Sequence, residues 1–321
     1  MDDEEYDVPG GPRLPWADLP AAVRRAVENH LGSPVVTAVS QVGGFSPGTA
    51  ARVQCEDGRR AFVKCVGTQL NKHTPDMHRS EARVAGALPA SVPSPRLRYV
   101  HDDGDWVALV FDEALGSLPR LPWSAATAHR VAEAIEDLSS SLTPCPLPEV
   151  LNIADRLRED LTAWQRLATD PPADLDFWEL GNLDRLAALS ADLAATDGPL
   201  TGDTLVHLDL RADNILLESG DRVLFVDWPW ACRGPIWVDS VLFALDPFVH
   251  GGLDPELLLA GRPVMDGAGP ADVTALLLGL AGMWAEAFRV PAPPTMPTIR
   301  AHQRRFHDAA LEWGRRRCGW S

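Results

Sequence analysis

The sequence predicts an α+β fold in two lobes, a small antiparallel β-rich lobe followed by a larger, mainly helical lobe. Two patterns support this expectation. Short β-prone runs separated by glycine-containing turns occupy residues 35–111, whereas apolar residues recur at helical spacing through most of the remaining chain. A chain of 321 residues is long enough to form one large domain, or two lobes around a cleft, with a sizeable core.

The first lobe is expected to contain a five-stranded sheet with one inserted helix. Residues 1–15 are acidic and then rich in glycine and proline, a composition typical of disorder. A helix is expected over 20–31, with Pro20 in its first turn. Strands are expected at 35–42, 51–55, 61–66, 96–101 and 106–111. The segment Thr74-Pro75-Asp76 opens the inserted helix, because it offers a capping residue and then a proline at the first helical position.

The second lobe is predicted from apolar residues that repeat at helical spacing. The repeats are Val131, Ile135, Leu138 and Leu142; Leu157, Leu161, Trp164 and Leu167; and Val273, Leu277, Leu280, Trp284 and Phe288. Only residues 204–227 interrupt this pattern with strand character. The chain therefore divides into a disordered N-terminus (1–15), an N-terminal lobe (16–113) and a C-terminal lobe (114–321), and a ligand is expected in the cleft between the lobes.

The net charge of −16 is unevenly distributed. Residues 1–110 carry fourteen acids and twelve bases, whereas residues 111–321 carry thirty-one acids and seventeen bases. Such an acidic C-terminal part argues against nucleic acid as a partner, since binding a phosphate backbone requires Lys and Arg. The charge either steers a cationic small substrate towards the protein or serves solubility.

The composition, 45% hydrophobic and 23% charged residues, is typical of a soluble globular protein. The N-terminus is acidic, unlike a signal peptide, and the longest apolar stretch, residues 275–285, is too short to cross a bilayer. The five cysteines are scattered without metal-binding or disulfide spacing. These features predict a cytoplasmic protein with no membrane partner. We expect a monomer or a homodimer.

The most informative segment spans residues 207–227. Asp209 and Asn214 lie five residues apart on a loop between two short apolar runs, and Asp227 follows where the second run ends. In this order the three side chains suit a base, a metal-binding amide and a metal-binding carboxylate that converge on phosphate and magnesium. The plain alternative is a polar loop between two strands.

This segment resembles the catalytic and metal-binding loops of the aminoglycoside-phosphotransferase family of small-molecule kinases, which have a protein-kinase-like fold. The resemblance implies that Asp209 accepts or orients the proton of an attacking hydroxyl. It implies that Asn214 and Asp227 bind Mg²⁺ beside ATP or GTP. The reaction would transfer the γ-phosphoryl group to a small-molecule hydroxyl, as on an aminoglycoside or another antibiotic.

Lys64 is one of only two lysines in a chain with 27 arginines, and it lies in an apolar strand. A compact ammonium fits beside phosphate oxygens as a point charge. Glu81 falls on the same helix face as Val84, where an unpaired acid is costly. The family resemblance implies that Glu81 holds Lys64 at the nucleotide. The alternatives are an edge-strand lysine that reaches into water and a solvated glutamate at the helix rim.

Two further segments have positions that match nucleotide-binding parts of the family. Gly43, Gly44 and Ser46 lie in the turn between the first two strands, where glycines let a backbone approach phosphates. The turn is neither GxGxxG nor a Walker A motif, and an ordinary hairpin turn is the alternative. Glu113 lies in a connector, residues 111–116, that matches the hinge whose backbone usually reads the adenine edge; the alternative is a simple linker.

Two features qualify the resemblance. Only eleven residues separate Asp227 from Asp239, the acid that in the family fixes the catalytic loop through backbone N–H groups. Protein kinases insert a much longer segment there, so a small-molecule substrate is expected. Pro229 stands where many members carry a further acid, which implies a leaner metal site. The alternatives are a pseudokinase that binds nucleotide without transfer and a kinase of a small metabolite such as an amino-alcohol or sugar.

Overall fold

The computed structural model describes residues 12–41, 43–195 and 198–320. The strands are β1 (Val35–Ser40), β2 (Thr49–Cys55), β3 (Arg60–Gly67), β4 (Leu97–Asp102), β5 (Trp106–Phe111), β6 (Thr204–Val206), β7 (Ile215–Leu217), β8 (Val223–Phe225) and β9 (Cys232–Gly234). The helices are α1 (Ala21–Leu31), α2 (Thr74–Ala87), α3 (Ala125–Ser141), α4 (Ile153–Arg156), α5 (Arg158–Leu161), α6 (Ala163–Thr169), α7 (Phe177–Leu193), α8 (Val238–Val249), α9 (Pro255–Leu259), α10 (Pro270–Ala287) and α11 (Ile299–Cys318). The predicted α+β class is confirmed.

The described residues form two compact units, each built from separated stretches of chain. The first unit contains the residues up to Pro119 together with Arg211–Ala231 and Pro293–Ile299, and the second contains the rest. Sequence patterns are local, so they did not anticipate that a stretch after residue 210 returns to the first unit. The lobe bounds 16–113 and 114–321 stay a prediction. Of the segment expected to be disordered, 1–11 lies outside the described residues, whereas 12–15 makes the ordered contacts given below.

The five expected strands of the first unit form one antiparallel sheet in the order β1-β2-β3-β5-β4. Helix α1 packs on one face of the sheet and α2 packs on the other. Strand β5 is buried along its whole length, because it lies inside the sheet and both faces are covered. The expected end of the first strand at residue 42 lies outside the described residues, and β1 ends at Ser40.

The start of α2 differs in detail from the prediction. Thr74 is already helical, so Pro75 is the second helical residue and Thr74 is not the cap. The side-chain oxygen of Asn71 accepts hydrogen bonds from the backbone N–H groups of His73 and Thr74 instead. A short polar side chain just before a helix can satisfy its first N–H groups, and here that residue lies three positions earlier than expected.

The segment after residue 210 forms a short hairpin in the first unit. β7 pairs with β8, with Ile215 opposite Phe225. Beyond this last pair, the N–H of Val226 donates to the carbonyl oxygen of Asn214 at 3.0 Å. Asn214, just before β7, and Asp227, just after β8, therefore lie at the same end of the hairpin, although thirteen positions separate them along the chain.

The second unit is mainly helical. The apolar repeat over 157–167 predicted helical structure, and the structure has three short helices over 153–169, α4, α5 and α6, because the backbone leaves helical geometry at Leu157 and Thr162. Strand character was expected to end at residue 227, yet β9 follows and pairs with β6; three-residue strands are too short to show an alternating pattern. None of the described helices is both long and apolar enough to cross a lipid bilayer.

Candidate active site

The alternation of side chains along β3 determines the face of the sheet on which the Lys64 side chain lies. Its neighbours Val63 and Cys65 are fully buried in the core cluster that includes α1. Because successive side chains of a strand point to opposite faces, Lys64 lies on the other face of β3, where α2 packs. Only 14% of the Lys64 side chain is exposed, so its charge requires partners.

Glu81 of α2 is the first partner of Lys64. The Nζ atom donates to Oε1 of Glu81 at 2.7 Å and to Oε2 at 2.8 Å. The Glu81 carboxylate also accepts a hydrogen bond from the backbone N–H of Trp228. Its side chain is only 3% exposed, and a carboxylate this deeply buried is stable only when it is paired. The expected ion pair is therefore present.

Asp227 is the second partner. The Nζ atom of Lys64 lies 2.7 Å from Oδ1 of Asp227, whose side chain is 36% exposed. Asp227 follows β8 with a φ of 69°, a left-handed conformation that a short polar residue adopts more readily than most. Lys64 thus joins one buried and one accessible carboxylate. Asn214, buried at the same end of the hairpin, places an amide near that end.

The charges in this cluster shift the ionisation of its members. Burial lowers the pKa of Lys64, but the carboxylates of Asp227 and Glu81 outweigh burial and the net shift is upward. Burial raises the pKa of Glu81, with Lys64 opposing. His78 is also buried in α2, and burial together with the Lys64 charge lowers the pKa of its imidazole to about 3. His78 is therefore neutral and adds no positive charge beside Lys64.

The glycine-containing turn before β2 lies against an arginine from the N-terminal segment. Gly43 and Gly44 have φ values of 90° and 71°, which glycine adopts without a steric penalty. The guanidinium of Arg13 donates from Nη1 to the carbonyl oxygen of Ser46 at 2.6 Å, and from Nη2 to that of Gly43. The turn expected to approach phosphates is therefore held by a cation.

Glu113 has a partner on the sheet. Its carboxylate accepts from Nε of Arg60 at 2.5 Å and from Nη2 at 2.9 Å. These hydrogen bonds lower the pKa of Glu113. The side chain is thus committed to Arg60, and the predicted contact of this connector with a nucleotide, which involves backbone groups, stays a prediction.

Asp209 belongs to the second unit, on a loop held by Asp239. The Asp239 carboxylate accepts from the backbone N–H of His207 at 2.7 Å and from that of Leu208 at 2.9 Å. These bonds fix Leu208 at a φ of 67°, which is uncommon for a bulky residue. The N–H of Asp209 donates to Nδ1 of His207 at 3.3 Å. Burial raises the pKa of Asp239 to about 6, although both N–H donors favour its charged form.

The residues after Asp227 are bound to α2. The side-chain oxygen of Ser80 donates to the carbonyl oxygen of Pro229 at 3.0 Å. Trp228 is buried, and its indole N–H lies 3.2 Å from the hydroxyl oxygen of Ser94. Pro229, at the position where many family members carry a further acid, is thus held against α2 within the first unit.

Sequence patterns did not single out Arg13 or His78. His78 lies three residues before Glu81, so the helical spacing that placed Glu81 on the buried face of α2 also contained the signal for His78. Arg13 had no comparable signal, since it lies in a glycine- and proline-rich segment without periodicity. Arg211, on the loop after Asp209, pairs with Asp213 at 3.1 Å.

Solved structures of small-molecule phosphotransferases match most of this chain. A thermostable mutant of the aminoglycoside phosphotransferase APH(4)-Ia, in complex with ADP and hygromycin B, has a TM-score of 0.63 at 12% identity, covering 94% of this chain and 100% of its own. Choline kinase LicA from Streptococcus pneumoniae has a TM-score of 0.60 at 13% identity, covering 91% and 98%. Spectinomycin phosphotransferase APH(9)-Ia, with ADP and spectinomycin, has a TM-score of 0.55 at 10% identity, covering 90% and 97%.

At identities this low, these likenesses establish the protein-kinase-like fold. No curated protein matches the sequence significantly. The family model described as the phosphotransferase enzyme family, APH, matches residues 41–273, well over half of the chain. The resemblance predicted from residues 207–227 is thereby confirmed, and the chain belongs to the APH phosphotransferase enzyme family of small-molecule kinases.

Proposed function

We propose that this protein transfers the γ-phosphoryl group of ATP or GTP to a hydroxyl group of a small molecule. The observation that carries the proposal is the Lys64 ammonium held between Glu81 and Asp227. An ammonium fixed beside an accessible carboxylate suits the joint binding of nucleotide phosphates and a metal ion. The ADP in the structures of both antibiotic phosphotransferases supports a nucleotide as the donor.

In this proposal the first unit binds the nucleotide. Lys64 contacts the phosphates, and Glu81 keeps Lys64 in place. The backbone at Gly43, Gly44 and Ser46 approaches the phosphates from the turn before β2. The connector at Glu113 contributes backbone groups to the base, while the Glu113 side chain stays on Arg60.

The residues present also fit Mg²⁺. Among the described residues, no three His, Cys, Asp or Glu side chains are grouped to hold a metal. Mg²⁺ does not need such a group, because it commonly takes one or two protein oxygens and fills its shell with phosphates and water. The carboxylate of Asp227 and the amide oxygen of Asn214 would hold the ion, which offsets charge that develops on the transferred group.

Asp209 is proposed to accept or orient the proton of the attacking hydroxyl. Its loop must be rigid for this purpose, since a small displacement of a catalytic group costs much of its effect. The hydrogen bonds from His207 and Leu208 to Asp239 supply that rigidity. We assign His207 to bracing the loop, because its Nδ1 accepts from the N–H of Asp209.

The proposed acceptor is a cationic alcohol, such as an aminoglycoside, another antibiotic or an amino-alcohol. Residues 111–321 carry thirty-one acids against seventeen bases, so their field attracts cations. The similar solved structures include enzymes crystallised with hygromycin B and with spectinomycin, and a choline kinase. A role in antibiotic resistance within the cytoplasm would follow if the acceptor is an antibiotic.

The direct test is a screen for ATP and GTP consumption over aminoglycosides, nucleoside and peptide antibiotics, amino-alcohols and sugars. With the best acceptor, Asp209→Asn and Asp227→Asn should each lower turnover by about a hundredfold or more. Asp221→Asn is the matched control, because it removes the same charge from an exposed position at the far turn of the β7–β8 hairpin. Its turnover should equal that of the wild type.

A thermal-shift titration separates the enzyme from a pseudokinase. Mg-ATP should stabilise the wild type more than ATP with a chelator. Nucleotide binding without turnover of any acceptor would favour the pseudokinase alternative. If the protein shows no metal-dependent stabilisation and no turnover of any acceptor, the proposed function is contradicted.

A further inference from the structure

The N-terminal segment before α1 is anchored to the turn that precedes β2. The N–H of Leu14 donates to the carbonyl oxygen of Gly48 at 3.3 Å, and the hydroxyl of Thr49 donates to the carbonyl oxygen of Leu14 at 2.7 Å. Trp16 and Leu19, which follow, are buried in the core of the first unit. The backbone at Arg13 is therefore held in place, and its side chain has a defined position.

The Arg13 guanidinium lies against the turn. The two terminal nitrogens of Arg13 donate to the carbonyl oxygens of Ser46 and Gly43, like the two prongs of a fork. A Cβ atom on Gly44 would lie 2.9 Å from Nη2 of Arg13. The missing side chain at Gly44 thus leaves the room that the guanidinium occupies.

The guanidinium is incompletely compensated. Burial lowers the pKa of Arg13, and the carboxylates of Asp227 and Asp213 oppose that effect through their charges. Its Nε atom is buried without a hydrogen-bond partner among the residues that the structure describes. Carbonyl oxygens are neutral acceptors, so a desolvated guanidinium held only by them gains strongly from an anion.

We propose that Arg13 is a second phosphate-binding cation, which acts with Lys64 on the phosphates of the bound nucleotide. This inference rests on the proposed function. The glycine turn, the charge of Asp227 and the fork of Arg13 come together in the same unit as Lys64. A guanidinium pairs with two phosphate oxygens at once, so the phosphates replace the two carbonyl oxygens as its acceptors. Such a residue makes the N-terminal segment part of the nucleotide site.

Binding of AMP-PNP and of adenosine, measured by titration calorimetry with Mg²⁺ present, tests the proposal. Arg13→Ala should lower the affinity for AMP-PNP by about tenfold or more, which is the loss expected when hydrogen bonds to a charged group are removed. Adenosine, which has no phosphates, should bind unchanged. Arg13→Lys keeps the charge but not the fork, and its affinity for AMP-PNP should be intermediate. Arg25→Ala is the matched control, since Arg25 is an exposed arginine of α1.

Each other outcome overturns the assignment. Equal loss of AMP-PNP and adenosine affinity would mean that Arg13 merely clamps the turn. Tighter AMP-PNP binding by Arg13→Ala would mean that the guanidinium competes with the nucleotide. Unchanged AMP-PNP affinity in Arg13→Ala, with the wild type binding normally, would remove Arg13 from the site and leave the proposed function intact. If the wild type binds neither AMP-PNP nor the corresponding GTP analogue, both proposals fail.

Discussion

The Nζ atom of Lys64 lies 2.7 Å from Oδ1 of Asp227 while it also donates to both carboxylate oxygens of Glu81. One ammonium therefore joins α2 to the end of the β7–β8 hairpin. Glu81 is almost fully buried, whereas 36% of the Asp227 side chain is exposed. The contact with Asp227 is consequently the more accessible to ligands, and the contact with Glu81 is shielded from solvent.

Removing the ammonium should cost both stability and activity. Lys64→Met leaves Glu81 buried without its cation, so the free energy of unfolding should fall by about 3–5 kcal/mol. Phosphoryl transfer should be lost as well. Chemical denaturation and a turnover assay measure the two effects.

The double variant Lys64→Met/Glu81→Gln separates them. It removes both charges and keeps an acceptor for the N–H of Trp228, so most of the lost stability should return while activity stays absent. A double variant as unstable as the single one would show that the ion pair does not account for the loss.

The buried Asp239 should make stability depend on pH in a defined direction. Its pKa is about 6 in the fold, against the ordinary aspartate value of 3.8. Between pH 4 and pH 6 the folded carboxyl therefore binds more protons than the unfolded one. The contribution of Asp239 to the free energy of unfolding is therefore largest below about pH 4. This contribution falls by up to about 3 kcal/mol as the pH rises to about 6.

Asp239→Asn does not titrate and provides the reference. The difference in unfolding free energy, wild type minus variant, should fall across this window. Other groups that titrate there, Glu81 included, are common to both proteins and cancel in the difference. Urea denaturation at intervals from pH 4 to pH 7 measures it, and a difference that rises with pH would contradict the assigned shift.

Two glycines should respond in opposite ways to alanine. A Cβ atom on Gly48 would lie 2.1 Å from the carbonyl oxygen of Cys65, where β2 begins beside β3. Gly48→Ala must displace backbone and should lower the free energy of unfolding by about 3 kcal/mol. A Cβ atom on Gly86, within α2, would meet only Leu97 at an ordinary 3.7 Å.

Gly86→Ala should therefore raise stability by about 0.5 kcal/mol, because alanine loses less backbone entropy in a helix. Thermal unfolding of both variants tests the pair. Equal effects would mean that the close approach at Gly48 does not constrain the chain.

The charge of the C-terminal part should appear in the kinetics. If a cationic acceptor is steered by the acids of residues 111–321, its KM should rise with ionic strength, because salt screens exposed charges. A neutral acceptor such as a sugar provides the comparison, and its KM should change little. Equal salt dependence for both acceptors would assign the acidic composition to solubility.

Much of the first unit could be predicted from sequence because its signals are local. Short β-prone runs and glycine-containing turns located the five strands, and helical spacing placed Glu81 on the buried face of α2. The same reasoning could not show that residues 153–169 form three short helices, since apolar spacing reports which side is buried and not whether the helix is continuous. It missed β9, which is three residues long and is defined by its pairing with β6.

The sequence alone determined the fold class, the family and the residue types available for chemistry, because periodicity and motif spacing are properties of neighbouring residues. Only the tertiary structure decided which side chains meet. Glu81 and Asp227 lie 17 and 163 residues from Lys64 along the chain, and Gly43 lies 30 residues from Arg13. No local pattern encodes such contacts, because they arise when burial of the apolar faces of the strands and helices brings distant segments together.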